Sequence, residues 1–221
     1  MSKKQVCVIG LGQFGTHLAR DLVKMGCEVL AIDAEERRVH AVRDDVHRAL
    51  IGDARDPQML ESVLTPSVNE GVICLGEKNL EPSILCALNL KRLGIKSIRA
   101  TAANDDHAQI LLRVGATETI FPERDSAARA ARRIANPDIR DMFSLDEHHR
   151  IMEIVAPRKT HGKTLAELNL RAAFDVLVLA ARDPSAEDFE FLPSANKVIQ
   201  PEECLMVLGR ELDLVRFADY E

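Results

Sequence analysis

No apolar run in this 221-residue sequence reaches the roughly 18 residues that a membrane span needs. The five cysteines, Cys7, Cys27, Cys74, Cys86 and Cys204, form no C-x-x-C pair and sit mostly among apolar neighbours. They read as small core residues in a reducing cytoplasm, not as disulfides or structural metal ligands. Positive charge is not in excess either. The net charge is −6 and the pI about 5.7, which argues against a nucleic-acid partner. Internal repeats and low-complexity tracts are missing. No secretory leader is expected, because residues 1–4 lead straight into an apolar strand. A recognisable catalytic set is also absent. His161 stands in a polar loop behind Arg158 and Lys159, and His148-His149 are adjacent in a polar stretch, where two neighbours rarely chelate together. What remains is a globular balance, 46% hydrophobic and 29% charged, with length for one large domain or two modest ones.

The stretch that organises the chain is Val6-Cys7-Val8-Ile9-Gly10-Leu11-Gly12-Gln13-Phe14-Gly15. Four apolar residues read as a buried strand. Gly10, Gly12 and Gly15 follow with the spacing G-x-G-x-x-G, and residues 16–25 read as a helix. Strand, glycine turn and helix come in the order that dinucleotide binding requires. The first glycine permits a tight turn, the second lets backbone approach a phosphate, and the third lets helix pack on strand. The helix N-terminus offers unpaired N–H groups to an anion. A second strand, residues 28–33, ends in an acid. Asp33 lies 18 residues after Gly15, near the interval of about 20 expected for a ribose-binding carboxylate. Such an acid disfavours a ribose 2′-phosphate, so NAD or adenosine ligands are expected over NADP.

Strands are expected at 48–51, 71–76, 97–101 and 119–122. Helices are expected at 35–43, at 57–64 with Asp56 as cap and Pro57 first, at 82–93 with Ile84, Leu85 and Leu88 on the sheet, at 107–114 and at 125–135. Six strands alternating with helices make a Rossmann-type α/β lobe, a doubly wound parallel sheet of order 3-2-1-4-5-6. The ligand should lie over the carboxyl ends of strands one and four. Residues 1–137 form this lobe and the polar residues 138–150 read as a linker. Residues 151–221 form a small C-terminal α+β lobe, with strands at 151–155, 176–182, 189–192 and 204–209. Thr164 is expected to cap a helical turn with Glu167 as its third residue, and residues 211–218 close the chain as a helix.

Beside the glycine turn with Gln13 and Phe14, several residues are placed to touch a nucleotide. Asp33 and Ala34 would meet a ribose. Arg38, in the following helix, could cover an adenine or meet a phosphate, or simply face water. Asp53 and Ala54 end strand three, where an adenine edge would lie. Gly76 and Glu77 end strand four beside the switch point. Glu123 comes after Phe121-Pro122 near the same crevice, and by itself reads as part of a helix N-terminus.

Taken together, both lobes resemble the RCK proteins, soluble gating subunits of Ktr- and Trk-type potassium transporters. The resemblance rests on VIGLGQFG with Asp33, on Gly52-Asp53-Ala54, on Val114-Gly115-Ala116 followed by Phe121-Pro122-Glu123-Arg124-Asp125, and on Gly162-Lys163-Thr164-Leu165-Ala166-Glu167-Leu168-Asn169-Leu170-Arg171. It implies a non-enzymatic cytoplasmic protein, held at the inner face of the membrane by a potassium-translocating membrane subunit. It implies homodimers assembled into a ring, often an octamer, and an adenine nucleotide (ADP, AMP or ATP) or NAD(H) in the first lobe. It further implies a divalent cation at Glu123, bridging two subunits. For some bacteria it implies cyclic di-AMP between paired C-terminal lobes, with Arg171 and residues 172–175 along the groove. Two positions depart from the family pattern. Many ATP-responsive members carry Arg at the position of Gln13, and Lys or Arg near Thr101. Without both cations a monophosphate, ADP or NAD(H) fits better than ATP. An NAD-dependent oxidoreductase and an orphan nucleotide-binding module are the alternatives on the same lobe.

Overall fold

The computed structural model describes residues 3–76, 79–135 and 139–221. The chain divides into two compact units, Met1–Asp125 and Ser126–Glu221.

In the first unit, β1 (Gln5–Ile9), β2 (Glu28–Asp33), β3 (Arg48–Ile51), β4 (Val68–Ile73), β5 (Ser97–Thr101) and β6 (Glu118–Ile120) form one sheet. Its order is β3-β2-β1-β4-β5-β6, as expected, and every pairing is parallel. Ile9 lies opposite Ile32 on one side and Ile73 on the other. Successive residues of a strand point to opposite faces, and here both faces are apolar, as a parallel sheet requires. Cys7, Ile9, Leu30, Ile32 and Ile73 pack under α3 (Pro57–Val63), α4 (Leu80–Arg92) and α5 (Asp105–Val114), which contribute Leu60, Leu90 and Leu111. Val6, Val8, Val29, Ala31 and Val72 pack with Ala19 of α1 (Gln13–Lys24) and Val39 of α2 (Glu36–His40). Caps fix the helix starts. The Asp56 carboxylate accepts from Gln58 N–H at 2.9 Å, and Asn104 Oδ1 accepts from His107 N–H at 2.9 Å.

In the second unit, β7 (Ile139–Ser144), β8 (His149–Val155), β9 (Leu177–Arg182), β10 (Glu190–Phe191) and β11 (Cys204–Arg210) form an antiparallel sheet of order β10-β9-β11-β8-β7. One face buries Met152, Ile154, Leu205 and Val207 against α9 (Glu211–Ala218), which supplies Leu214 and Phe217. Phe174 meets the Phe217 and Tyr220 rings at 5.4 and 4.9 Å. The expected capping box holds α7 (Leu165–Leu168): Thr164 Oγ1 accepts from Glu167 N–H, and the Glu167 carboxylate accepts from Thr164 N–H. α8 (Leu170–Phe174) comes next. On the other face Phe143, Leu177 and Phe191 stay exposed, Phe191 by 68%.

Four features differ from the sequence expectation. Residues 138–150 are not a linker. They supply β7 and the start of β8, because Met142 points into the core while backbone pairing with β8 holds the rest of the strand. The division of units falls inside α6 (Pro122–Ala135), ahead of Asn136-Pro137-Asp138, which lie outside the described residues. From Glu123 to Ala131 the helix is exposed, so it adds nothing to the first core. Strand four begins at Val68 and ends at Ile73, so Gly76 lies beyond the sheet. The buried stripe of α4 is Ser83, Cys86, Ala87, Asn89 and Leu90, while Leu85 and Leu88 are half-buried.

Candidate functional site

The glycine turn shows three separate roles. Gly10 has φ +91°, and a Cβ there would stand 2.7 Å from the Cys74 carbonyl oxygen, so only glycine fits. Gly15 is about proximity: a Cβ would fall 1.9 Å from the Gly10 carbonyl oxygen. Gly12 has open space where its side chain would be. It is the N-terminal cap of α1, and no side chain closes that helix end. The first amides of α1 therefore point unpaired toward that space.

Asp33 is only 8% exposed. Its Oδ2 accepts from Leu11 N–H at 2.6 Å and its Oδ1 from Glu35 N–H at 2.8 Å. The Arg38 guanidinium lies 3.6 Å away. Each carboxylate oxygen has a second lone pair, so the group can still accept from a ribose diol. A cleft of about 560 Å³ opens beside it and brings together Gly10, Asp33, Ala34, Arg38, Asp53 and Ala54. That volume is ordinary for a ligand site. At its far end Arg55 grips Asp53 with two bonds, Nε to Oδ1 at 2.9 Å and Nη2 to Oδ2 at 2.6 Å. The guanidinium holds the Asp53 carboxyl below its ordinary range. The cleft is therefore lined there by an Asp53–Arg55 pair rather than a free carboxylate.

A smaller cavity of about 130 Å³ adjoins the cleft, with Leu75 lining both. It collects Gly12, Gln13, Phe14, Gly76 and Glu123, together with Thr101. Thr101 Oγ1 donates to the Leu75 carbonyl at 3.0 Å. Among the described lining residues there is no Lys or Arg, and the one charge is that of Glu123. Gly15 lines neither space; its part is packing. Glu77 lies outside the described residues, and Arg171 is exposed on α8 of the second unit.

Sequence reasoning missed two residues. Asn89, 5% exposed, donates from Nδ2 to the Arg55 carbonyl at 2.9 Å, fastening the turn after β3 to α4. His107, 4% exposed, accepts from the N–H of Ala103, which lines the smaller cavity, and meets Ser83 Oγ at 2.9 Å. The signal for both was a polar residue on an otherwise apolar helix face. Cys86 and Cys74 also line the two spaces, and burial pushes each thiol up to about 12, so neither is a thiolate nucleophile.

Comparison with known proteins adds to this geometry. The model of the TrkA-N domain matches residues 6–122. The Ktr system potassium uptake protein C of Bacillus subtilis (strain 168) is 35% identical over 215 residues, covering 97% of this chain and 96% of that protein. Among solved structures, the GsuK channel superposes with a TM-score of 0.68 at 14% identity, over 99% of this chain and 39% of that one. The GsuK channel bound to NAD superposes with a TM-score of 0.56 at 20% identity, over 100% of this chain and 39% of that one. The chain thus spans about two fifths of the channel's length, and these two likenesses show the fold.

Proposed function

The chain belongs to the TrkA-N domain family, and from that premise we propose that it is the nucleotide-sensing regulatory subunit of a Ktr-type potassium uptake system. The kinship with the Bacillus subtilis Ktr protein supports the system, since it runs over nearly the whole of both chains. The observation that carries the sensing role is the pair of adjoining spaces above the carboxyl ends of β1 and β4, with Asp33 at one wall and the uncapped α1 N-terminus between them. An adenosine fits the larger space, with its ribose on Asp33 and its phosphate on the amides of Gln13 and Phe14. The smaller space takes the part of a ligand beyond the first phosphate. Its only charge among described residues is negative, so it suits a nicotinamide riboside better than the outer phosphates of ATP. AMP, ADP and NAD(H) are therefore the expected ligands. A divalent cation at Glu123 would need ligands from a second copy, since no three His, Cys, Asp or Glu gather among the described residues.

Among those residues no helix is long and apolar enough to cross a membrane, so ion passage is assigned to a separate membrane subunit. The uncovered apolar face of the second unit, with Phe143, Leu177 and Phe191, would be covered by the same face of a second copy. Dimers joined further through first units make a ring, in which a ligand shifts the balance between two shapes by binding one better. Cyclic di-AMP beside Arg171 would be a second input. Light scattering tests the assembly. The expected mass is a dimer of the 24.5 kDa chain or a multiple of it. A monomer at micromolar concentration rejects the ring and the gating role. Incubation with NADH and carbonyl substrates should show no turnover.

A further inference from the structure

His107, the third residue of α5, joins the backbone of Ala103, which lines the smaller cavity, to Ser83 of α4. Its Nδ1 is 3.2 Å from the Ala103 amide, and its Nε2 is 2.9 Å from Ser83 Oγ. The donors settle the tautomer. Ala103 N–H can only donate, so Nδ1 is bare and accepts. Nε2 then carries the proton and donates to Ser83, whose own proton goes to the Leu80 carbonyl at 2.8 Å. Ser83 is fully buried, so this serine–histidine pair has no access to a substrate and is no nucleophile with its base. The chain of bonds joins three pieces instead. Thr101, Ala102 and Ala103 wall the smaller cavity. α5 carries His107. α4 carries Ser83, and the same helix, with Pro82 and Cys86, walls the larger cleft.

Resting on the nucleotide reading above, we propose that His107 is a positioning residue for the second half of a dinucleotide. It holds residues 101–103 at the distance from α4 that leaves the smaller cavity open. A ligand confined to the larger cleft does not meet that wall, and a ligand reaching past the first phosphate does. The residue therefore sets discrimination between mononucleotide and dinucleotide. A histidine that only filled the core would leave that ratio unchanged.

Calorimetry of the full-length protein with AMP and with NADH tests this. His107→Leu should weaken NADH by about tenfold or more and AMP by less than about twofold, a tenfold change being about 1.4 kcal/mol. His107→Asn, whose Oδ1 keeps the bond from Ala103 N–H but whose shorter side chain gives up the link to Ser83, should weaken NADH and spare AMP as well. Equal losses for the two ligands, or no loss in either, overturn the proposal. If the leucine variant does not fold, Ser83→Ala carries the same test, because it removes the link to α4 alone. That variant should weaken NADH and spare AMP, and unchanged binding of both overturns the proposal. Wild-type protein that binds neither ligand overturns the nucleotide reading and this proposal with it.

Discussion

Replacing Gly12 and Gly15 in turn separates binding from folding at one turn of the chain. Gly12 has φ −65° and ψ −171°, a conformation open to any residue, and a Cβ there meets nothing within 4 Å. Gly12→Val should cost the fold little, since a side chain restricts the unfolded chain about as much as losing a glycine cap costs the helix. The added methyls project over the α1 N-terminus, where the proposed pose puts the phosphate. A hydrogen bond to a charged group is worth about 1.5–3 kcal/mol, so losing one weakens binding roughly 10- to 100-fold. Gly15→Ala does the opposite. Its Cβ would fall 1.9 Å from the Gly10 carbonyl oxygen and 3.0 Å from Cys74 Cβ, so α1 must lift off β1. Overpacking of this kind costs about 1–3 kcal/mol, and more where backbone has to move. For a unit of this size that is several degrees of melting temperature. Calorimetry with AMP and NADH, beside thermal melts, reads both effects. Wild-type affinity in a folded Gly12→Val protein would refute the glycine-loop pose. An unchanged midpoint in Gly15→Ala would refute the packing argument.

Asp33 is tested best from the ligand side, because Asp33→Ala would also release Leu11 N–H and loosen the glycine turn. AMP lacking its ribose 2′-hydroxyl should bind about tenfold weaker than AMP, the loss of one bond to a carboxylate; equal affinity by calorimetry would place the ribose elsewhere. Gln13→Arg should raise ATP affinity relative to AMP by about 1 kcal/mol or more through one charge-assisted bond, and equal gains for both nucleotides would show that residue 13 does not read the outer phosphates. Burial holds the His107 pKa below its ordinary value, so the unfolded chain binds this proton more readily than the fold. Stability is then full above pH of about 6.5 and falls as pH drops below it. Urea midpoints at pH 7.5 and 5.5 should show the loss, and His107→Asn should reduce it. The lowered carboxyls such as Asp53 lose their contribution only at more acidic pH. A variant with the same loss as wild type would assign it to another group.

The sequence by itself determined what short-range rules control. Apolar runs of strand length set between helical periodicities fixed the six-stranded parallel sheet and its order. The spacing of Gly10, Gly12, Gly15 and Asp33 marked the turn beside which the larger cleft opens, and Asp56, Thr164 and Glu167 marked helix starts, because a cap acts within three residues of itself. Tertiary structure decided what depends on partners far along the chain. It gave Gly15 to packing, tied Asp53 to Arg55, left the smaller cavity without a described cation, and put Ser83 and Asn89 on the buried face of α4 where leucines were expected. It also turned a polar stretch into β7, whose pairing partner is backbone and carries no side-chain signature. The physical reason is common to all of these. A local window reports which residues prefer burial and which backbone shapes are cheap. Whether a buried polar group is satisfied, or a Cβ has room, depends on atoms that only the closed fold brings within a few ångströms.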